Sequence, residues 1–178
     1  MFRKIALLDQ RITLFLSEHR LSPKANRYLR FYVRLGDGYI WVLFAFILIY
    51  ILGWQSFLTV LWQSLNSLAI SLALYWVVKL STKRPRPFSF YAHIDAEVPP
   101  LDKYSFPSGH TMNNLAVACT MFFLVPQVGW VMILLPITWG LLRVYFGVHW
   151  MSDIIAGIFL GCVSFLIGHF LWRFFIGL

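Results

Sequence analysis

The stretch from residue 38 to residue 78 contains no charged side chain, and this feature limits most strongly what the chain can fold into. A helix rises about 1.5 Å per residue, and roughly 20 apolar residues cross the hydrocarbon core of a bilayer. The 41 residues of this stretch are therefore enough for two spans. Because residues 53–56 interrupt the apolar run, the sequence predicts one helix over about 38–53 and a second over about 57–80.

A second uncharged stretch covers residues 111–142. The Pro-Gln-Val-Gly segment at 126–129 divides it, which predicts a third helix over about 109–125 and a fourth over about 129–146. The apolar run 154–172 predicts a fifth. The fold class expected is therefore all-α, a polytopic transmembrane helix bundle of about five spans.

The composition agrees with a membrane protein. Hydrophobic residues make up 60% of the chain and charged residues only 12%, whereas a soluble domain averages about 25% charged residues. Length predicts one domain over residues 1–178, with residues 38–176 as the transmembrane core. Residues 1–37 are expected to form interfacial helices.

Two segments before the first span predict these interfacial helices. Residues 3–17 place apolar side chains at spacings of three and four, but charged residues interrupt the run too often for a span. Residues 23–34 combine arginines with tyrosine and phenylalanine, and Gly36-Asp37-Gly38 marks the end of that helix. Eight of the 15 Lys and Arg residues lie in residues 1–37.

The formal net charge of +8 needs an anionic partner. Nucleic acid is the usual partner of a basic face, but here the basic residues flank apolar spans. We therefore expect the bilayer's anionic headgroups or a phosphate group as partner, and no nucleic acid.

Polar residues at the edges of apolar runs usually mark a working site in a membrane protein. Pro107-Ser108-Gly109-His110 lies where a loop enters the third helix, and free N–H groups at a helix start bind anions. With five spans, Lys79, Arg86 and Arg143 reach the same membrane face. An arginine side chain can bind two phosphate oxygens at once in a bidentate contact, so the predicted ligand is phosphate.

His149 and Asp153 stand four residues apart, which predicts one face of the fifth helix. A carboxylate beside an imidazole fixes its tautomer and supports a nucleophile or general base. His110, from another helix, can protonate a leaving alkoxide. Two histidines with three cations suit phosphoryl transfer, and neither a cofactor nor a metal is expected.

Together these residues resemble the type 2 phosphatidic acid phosphatase (PAP2) superfamily. The resemblance covers about residues 79–153 and rests on three motifs in order: Lys79 with Arg86-Pro87, Pro107-Ser108-Gly109-His110, and Arg143 with His149 and Asp153. It implies a metal-independent membrane lipid phosphatase. His149 becomes the nucleophile that forms a phosphohistidine, Asp153 orients it, and His110 is the general acid. The implied phosphate-binding residues are Lys79, Arg86, Ser108, Gly109 and Arg143.

One position departs from the family pattern, because Leu142 stands where a serine usually precedes the arginine of the third motif. That change removes one expected hydrogen bond to phosphate. The substrate stays open among undecaprenyl pyrophosphate, phosphatidylglycerol phosphate, phosphatidic acid and lipid A 1-phosphate. Two alternatives also stay open: a lipid phosphotransferase that uses the same intermediate, and a non-catalytic lipid-binding or transport scaffold.

The orientation in the membrane carries a conflict. An excess of Lys and Arg usually marks the cytoplasmic side, and nearly all the charge lies on the expected catalytic face. The family resemblance implies the opposite, a site that faces the periplasm or the outside of a bacterial inner membrane. We adopt the second orientation, because phosphate binding accounts for many of these cations.

Overall fold

The computed structural model describes residues 2–91 and 93–176, and helices account for its regular structure. A 3₁₀ turn at Leu35–Asp37 follows the second helix. In chain order the helices are α1 (Phe2–Glu18), α2 (Pro23–Arg34), α3 (Tyr39–Thr82), α4 (Pro87–Phe90), α5 (Gly109–Leu124), α6 (Pro126–Tyr145) and α7 (Met151–Ile176).

Helix α5 is the centre of the bundle. It packs against α3, α6 and α7, and most of its residues are buried. By contrast, the outer faces of the other long helices expose large apolar side chains, among them Phe46, Trp62 and Phe159. In water such faces would be unfavourable, whereas lipid covers them without cost. The chain is an integral membrane protein of the all-α class, as the sequence predicted.

Helix α3 contains the break that the sequence placed at 53–56. Gly53 has φ 72° and ψ 168°, so the helix is kinked there into an arm before it and an arm after it. A positive φ favours glycine because other residues carry a Cβ atom that crowds the backbone. Pro136 lies inside α6, and the helix continues through it.

Within the described part of the chain, three helical segments are long and apolar enough to cross a membrane by length and composition: Tyr39–Phe90, Pro126–Tyr145 and Met151–Ile176. The first of these contains both predicted spans of the 38–80 region. Helix α5 has only 16 residues. Each predicted span thus coincides with a helix, but the count of five spans stays a prediction.

The two N-terminal helices form at the predicted places and pack onto the bundle. Helix α1 contacts α6 and α7, and α2 contacts α6. Ser22 caps α2 with its side-chain oxygen, which accepts a hydrogen bond from the Ala25 N–H. Arg20 and Arg30 both pair with Glu97 of the loop before α5, so this loop is tied to the N-terminal region.

Candidate active site

His149 and Asp153 form a buried hydrogen-bonded pair. His149 is 3% exposed and Asp153 is not exposed, and the Nδ1 atom of His149 lies 3.2 Å from Oδ2 of Asp153. The prediction that both stand on one helix face is wrong, because α7 begins only at Met151. His149 instead belongs to the turn before α7, where the Trp150 N–H also donates to the Asp153 carboxylate over 2.8 Å.

The surroundings of His149 favour its neutral form. Burial lowers the pKa of His149 well below its usual value, and the nearby charges of Arg86 and Arg143 lower it further. A neutral imidazole that donates from Nδ1 to Asp153 keeps an acceptor lone pair on Nε2. That Nε2 atom lies 3.3 Å from Nη1 of Arg86. The pair thus presents a nucleophilic nitrogen beside a cation.

His110 occupies the first turn of α5 and contacts two charged groups. Its Nε2 atom lies 2.6 Å from Nη2 of Arg143 and 2.6 Å from Oδ1 of Asp37. The hydrogen bond from His110 is the largest influence that lowers the pKa of Asp37; burial opposes it, and the charges of His110, Arg143 and Arg34 assist it. Asp37 is therefore a carboxylate partner of the second histidine.

Lys79 and Arg86 share one carboxylate, that of Asp102. Oδ1 of Asp102 lies 2.7 Å from Nζ of Lys79 and 2.8 Å from Nη2 of Arg86, and Oδ2 accepts a hydrogen bond from the Tyr75 hydroxyl. Burial acts to raise the pKa of Asp102, but the hydrogen bonds from Lys79 and Tyr75, together with the charges of Lys79 and Arg86, outweigh it and the pKa is lowered. Both cations are almost completely buried, so they need this counter-charge.

Ser108 and Gly109 bring the start of α5 close to these groups. The Ser108 N–H donates to the backbone oxygen of Asp153 over 3.1 Å. The Ser108 side chain makes no capping hydrogen bond to the backbone, although it stands at the N-cap position. A Cβ atom at residue 109 would lie 2.8 Å from a ring carbon of Tyr75, so glycine allows this close approach.

The structure thus brings together all eight residues that the sequence selected. They come from the end of α3, the loop after it, the start of α5, the end of α6, and the start of α7 with the turn before it. Five of the eight, Arg86, Gly109, His110, Arg143 and His149, line one cavity of about 470 Å³ and form its polar end. The rest of the wall is mainly apolar and comes from both arms of α3 and from α5: Trp41, Ala45, Phe57, Val60, Leu61, Leu65, Leu68, Leu72, Val117 and Met121.

Comparison with known proteins identifies the family to which these motifs belong. The model of the PAP2 superfamily matches residues 60–176, which include all three motifs. The chain belongs to the PAP2 superfamily. The resemblance noted in the sequence is confirmed, and with it the class of enzyme, a membrane lipid phosphatase.

Curated relatives also match this PAP2 chain. An undecaprenyl-diphosphatase from Sulfolobus acidocaldarius is 32% identical over 144 residues, which are 79% of this chain and 68% of that protein. The bacitracin transport permease protein BcrC from Bacillus licheniformis is 30% identical over 81 residues, which are 46% of this chain and 40% of that protein.

Solved structures share the fold as well. LpxE from Aquifex aeolicus superposes with a TM-score of 0.76 at 20% identity and covers 91% of this chain and 94% of its own. A PAP2-type phosphatidylglycerolphosphate phosphatase from Bacillus subtilis gives a TM-score of 0.69 at 21% identity, over 97% of this chain and 88% of its own. At these identities the likeness concerns the fold.

Leu142, the residue that departs from the PAP2 pattern, has a packing role in this chain. Its side chain packs against a buried apolar cluster that consists of Val33, Val98, Phe146 and Val148. This cluster joins α2 and the loop before α5 to the end of α6. The leucine at this position therefore stabilises the contact between the N-terminal region and the PAP2 core.

Sequence reasoning missed two acidic residues of the site, Asp37 and Asp102. Both line the cavity with the two histidines. Asp37 lies between two glycines that signal a helix end, and Asp102 follows two prolines in the long loop. The one signal in the sequence is that each is an isolated acidic residue close to a basic segment. Sequence alone does not show which cation such a residue pairs with.

Proposed function

We propose that this chain hydrolyses a phosphate monoester or diphosphate on a membrane lipid, without a metal, through a phosphohistidine on His149. The observation that carries the proposal is the His149–Asp153 pair, which leaves Nε2 of His149 in the cavity beside Arg86. A buried, neutral imidazole oriented by a carboxylate is suited to act as a nucleophile.

In the first step, the lone pair on Nε2 of His149 attacks phosphorus, and the bond from phosphorus to the leaving oxygen breaks. His110 donates a proton to that oxygen, so a lipid alcohol or lipid monophosphate leaves. In the second step, water attacks the phosphohistidine and gives its proton to His110, and inorganic phosphate is released. The same histidine acts as acid and then as base.

Cations stabilise the charge on the transferred phosphoryl group in both steps. We assign this role to Lys79, Arg86 and Arg143, assisted by Ser108 and by the backbone at Gly109. Asp102 pairs with the first two cations, and Asp37 lies 3.6 Å from Arg143. Phosphate and these two carboxylates therefore compete for the same cations in our proposal.

The apolar part of the cavity supports a lipid as substrate. It continues from the two histidines along both arms of α3 to Phe57 and Met121. Mainly apolar walls with a few convergent polar groups are typical of a ligand site. We place the lipid chain along these walls and its phosphate between Arg86 and Arg143.

Among the four candidate substrates, undecaprenyl diphosphate has the most support. The relative described as an undecaprenyl-diphosphatase shares 32% identity with this chain over 144 residues. Phosphatidylglycerol phosphate, phosphatidic acid and lipid A 1-phosphate are the competing substrates. We also propose that residues 1–178 act as a single domain, with the site facing the outside of a bacterial inner membrane.

The test is phosphate release by the purified protein from a panel of these four lipids in the presence of EDTA. We expect release from undecaprenyl diphosphate by the wild type and none by His149→Ala. His93→Ala is the matched control, because His93 is an exposed histidine whose partner is Glu18. Activity that persists in His149→Ala would refute the mechanism, and labelled phosphate that appears in a lipid would indicate a phosphotransferase.

A further inference from the structure

Helix α1 reaches the active site through a chain of hydrogen bonds that begins at Asp9, outside the three PAP2 motifs, and ends at Asp153. We propose that Asp9 and Arg84 are positioning residues, which hold Asp153 and through it His149 in the reactive arrangement. On this view the N-terminal amphipathic helix is part of the catalytic apparatus. The inference rests on the proposed function, in which His149 is the nucleophile.

Arg84 provides the permanent positive charge next to Asp153. Its Nη1 atom lies 2.8 Å from Oδ1 of Asp153, the carboxylate oxygen that His149 does not contact. A fully buried carboxylate is stable in its ionised form only with a cation or several hydrogen bonds around it. Arg84, at 2.8 Å, supplies this charge. Its guanidinium also lies 5.2 Å from the centre of the Trp150 ring.

Asp9 holds Arg84 in place from α1. Oδ2 of Asp9 lies 2.7 Å from Nη2 of Arg84, so the guanidinium is fixed between two carboxylates. Asp9 is 8% exposed. Its carboxylate therefore lies within the protein, although it belongs to a helix whose outer face exposes Leu7 and Leu8.

Asp9 also caps the helix that carries Asp153. The first backbone N–H groups of a helix have no partner within it. At α7, the Ser152 N–H donates to Oδ1 of Asp9 over 2.8 Å, and the Ser152 hydroxyl donates to Oδ2 over 2.7 Å. The Met151 N–H donates to the Thr13 hydroxyl over 3.1 Å. Two α1 side chains thus determine where α7 begins.

These contacts fix the position of Asp153 in two ways. Arg84 holds its side chain, and Asp9 holds the start of α7, which carries its backbone. Catalytic groups must be held within fractions of an ångström, and a displacement of about 1 Å can cost about 100-fold in rate. Helix α1 lies outside residues 60–176, the part that matches the PAP2 model. The inference therefore extends the functional unit beyond the family's core.

The competing explanation is that the network only anchors α1 to the bundle. In that case, loss of Asp9 or Arg84 would lower stability, and the folded fraction would retain its turnover rate. A positioning role instead lowers kcat with little change in KM, because substrate binding uses other residues. The two explanations also predict different activities for variants that already lack the Asp153 carboxylate. If Asp9 acts through Asp153, its loss has no further effect on activity there.

The experiment uses full-length Asp9→Asn, Arg84→Gln and Arg84→Lys. Glu18→Gln on the same helix and the exposed Lys83→Gln next to Arg84 are the matched controls. The rate of phosphoenzyme formation and steady-state kcat and KM are measured with radiolabelled undecaprenyl diphosphate, and melting temperatures in the same detergent. We expect kcat to fall by about 10- to 100-fold in Asp9→Asn and Arg84→Gln, with KM changed less than about threefold.

Arg84→Lys should retain more activity than Arg84→Gln, since it keeps the charge but cannot bridge both carboxylates. In an Asp153→Asn background, prolonged assays should show no further loss from Asp9→Asn. Unchanged kcat in the two single variants, or losses that multiply in the Asp153→Asn background, would overturn the inference. If Asp9→Asn does not fold, Thr13→Val and Arg84→Lys provide the same test. Absence of phosphohistidine in the wild type would overturn the proposed function instead.

Discussion

The carboxylate of Asp37 lies 2.6 Å from Nε2 of His110, although the two residues are 73 positions apart in the chain. Asp37 comes from the turn before the first transmembrane arm, and His110 from the start of the central helix. The contact places a negative charge next to the proposed general acid. It offsets the positive charge of Arg143, whose Nη2 atom is equally close to the same imidazole nitrogen.

This contact predicts a pH-dependent contribution to stability. The pKa of Asp37 is lower in the folded protein than in an unfolded chain, so its stabilising effect is fully present above the ordinary carboxyl pKa of about 3.9. It is lost as the pH falls through the lowered folded value. The melting temperature of Asp37→Asn should therefore lie below that of the wild type at neutral pH, and the gap should shrink below about pH 4.

The melting temperatures are measured in one detergent across this pH range. Asp95→Asn is the control, because Asp95 is an exposed acid in the loop before α5. A gap between wild type and Asp37→Asn that is the same at pH 7 and pH 3 would contradict the predicted linkage.

The role of His110 predicts a dependence on the leaving group. Removal of a general acid typically costs about 10²- to 10⁴-fold in rate when the leaving group is a poor one. His110→Gln should lose activity to this extent on a lipid phosphate but much less on 4-nitrophenyl phosphate, whose leaving group needs no proton. Initial rates with both substrates test this. Equal losses on both would show that His110 does not act as the acid.

The two ion pairs of Asp102 predict that an oxyanion stabilises a variant that lacks this carboxylate. Without its carboxylate, Lys79 and Arg86 stay buried with no counter-charge, which costs about 3–5 kcal/mol when one partner of a buried pair is removed. Asp102→Asn should therefore melt at a lower temperature than the wild type. Vanadate should raise the melting temperature of the variant more than that of the wild type, because its oxygens replace the lost charge.

The measurement is a thermal titration with vanadate, with Asp95→Asn again as control. If vanadate stabilises Asp102→Asn less than it stabilises the wild type, Asp102 helps to bind the anion and does not occupy its place.

Much of the fold follows from the apolar patterning. The long helices α3, α5, α6 and α7 coincide with the uncharged runs, and the kink at Gly53 coincides with the break at 53–56. These features depend on local sequence, so periodicity and helix-breaking residues reveal them. The number of membrane spans cannot be derived from the apolar patterning in the same way. Helix α3 continues through its kink, and α5 is short.

The site was predictable to the extent that its residues lie in recognisable motifs. Asp37 and Asp102 were not, because a buried cation can find its counter-charge anywhere in the chain. The link from Asp9 through Arg84 to Asp153 joins three segments that no spacing rule connects. The spacing of four between His149 and Asp153 predicts one helix face, whereas the structure has His149 in the turn before α7.

Leu142 gives a prediction about the departure from the PAP2 pattern. Its side chain packs in the apolar cluster with Val33 and Phe146. Because Leu142 is only partly buried, Leu142→Ser should destabilise the protein by about 1–3 kcal/mol, less than truncation of a fully buried leucine, without an increase in kcat. Denaturation and steady-state rates test this. A faster, equally stable Leu142→Ser variant would show that serine at this position contributes to phosphate binding.

The most direct test of the central claim is to trap the covalent intermediate. Wild-type protein is mixed with lipid that carries a radiolabelled terminal phosphate, quenched within one turnover, and digested to peptides. Phosphohistidine survives alkali and is lost in acid, so we predict an alkali-stable, acid-labile label on the peptide that contains His149, and no label in His149→Ala. A label on any other residue, or its persistence in His149→Ala, would contradict the mechanism.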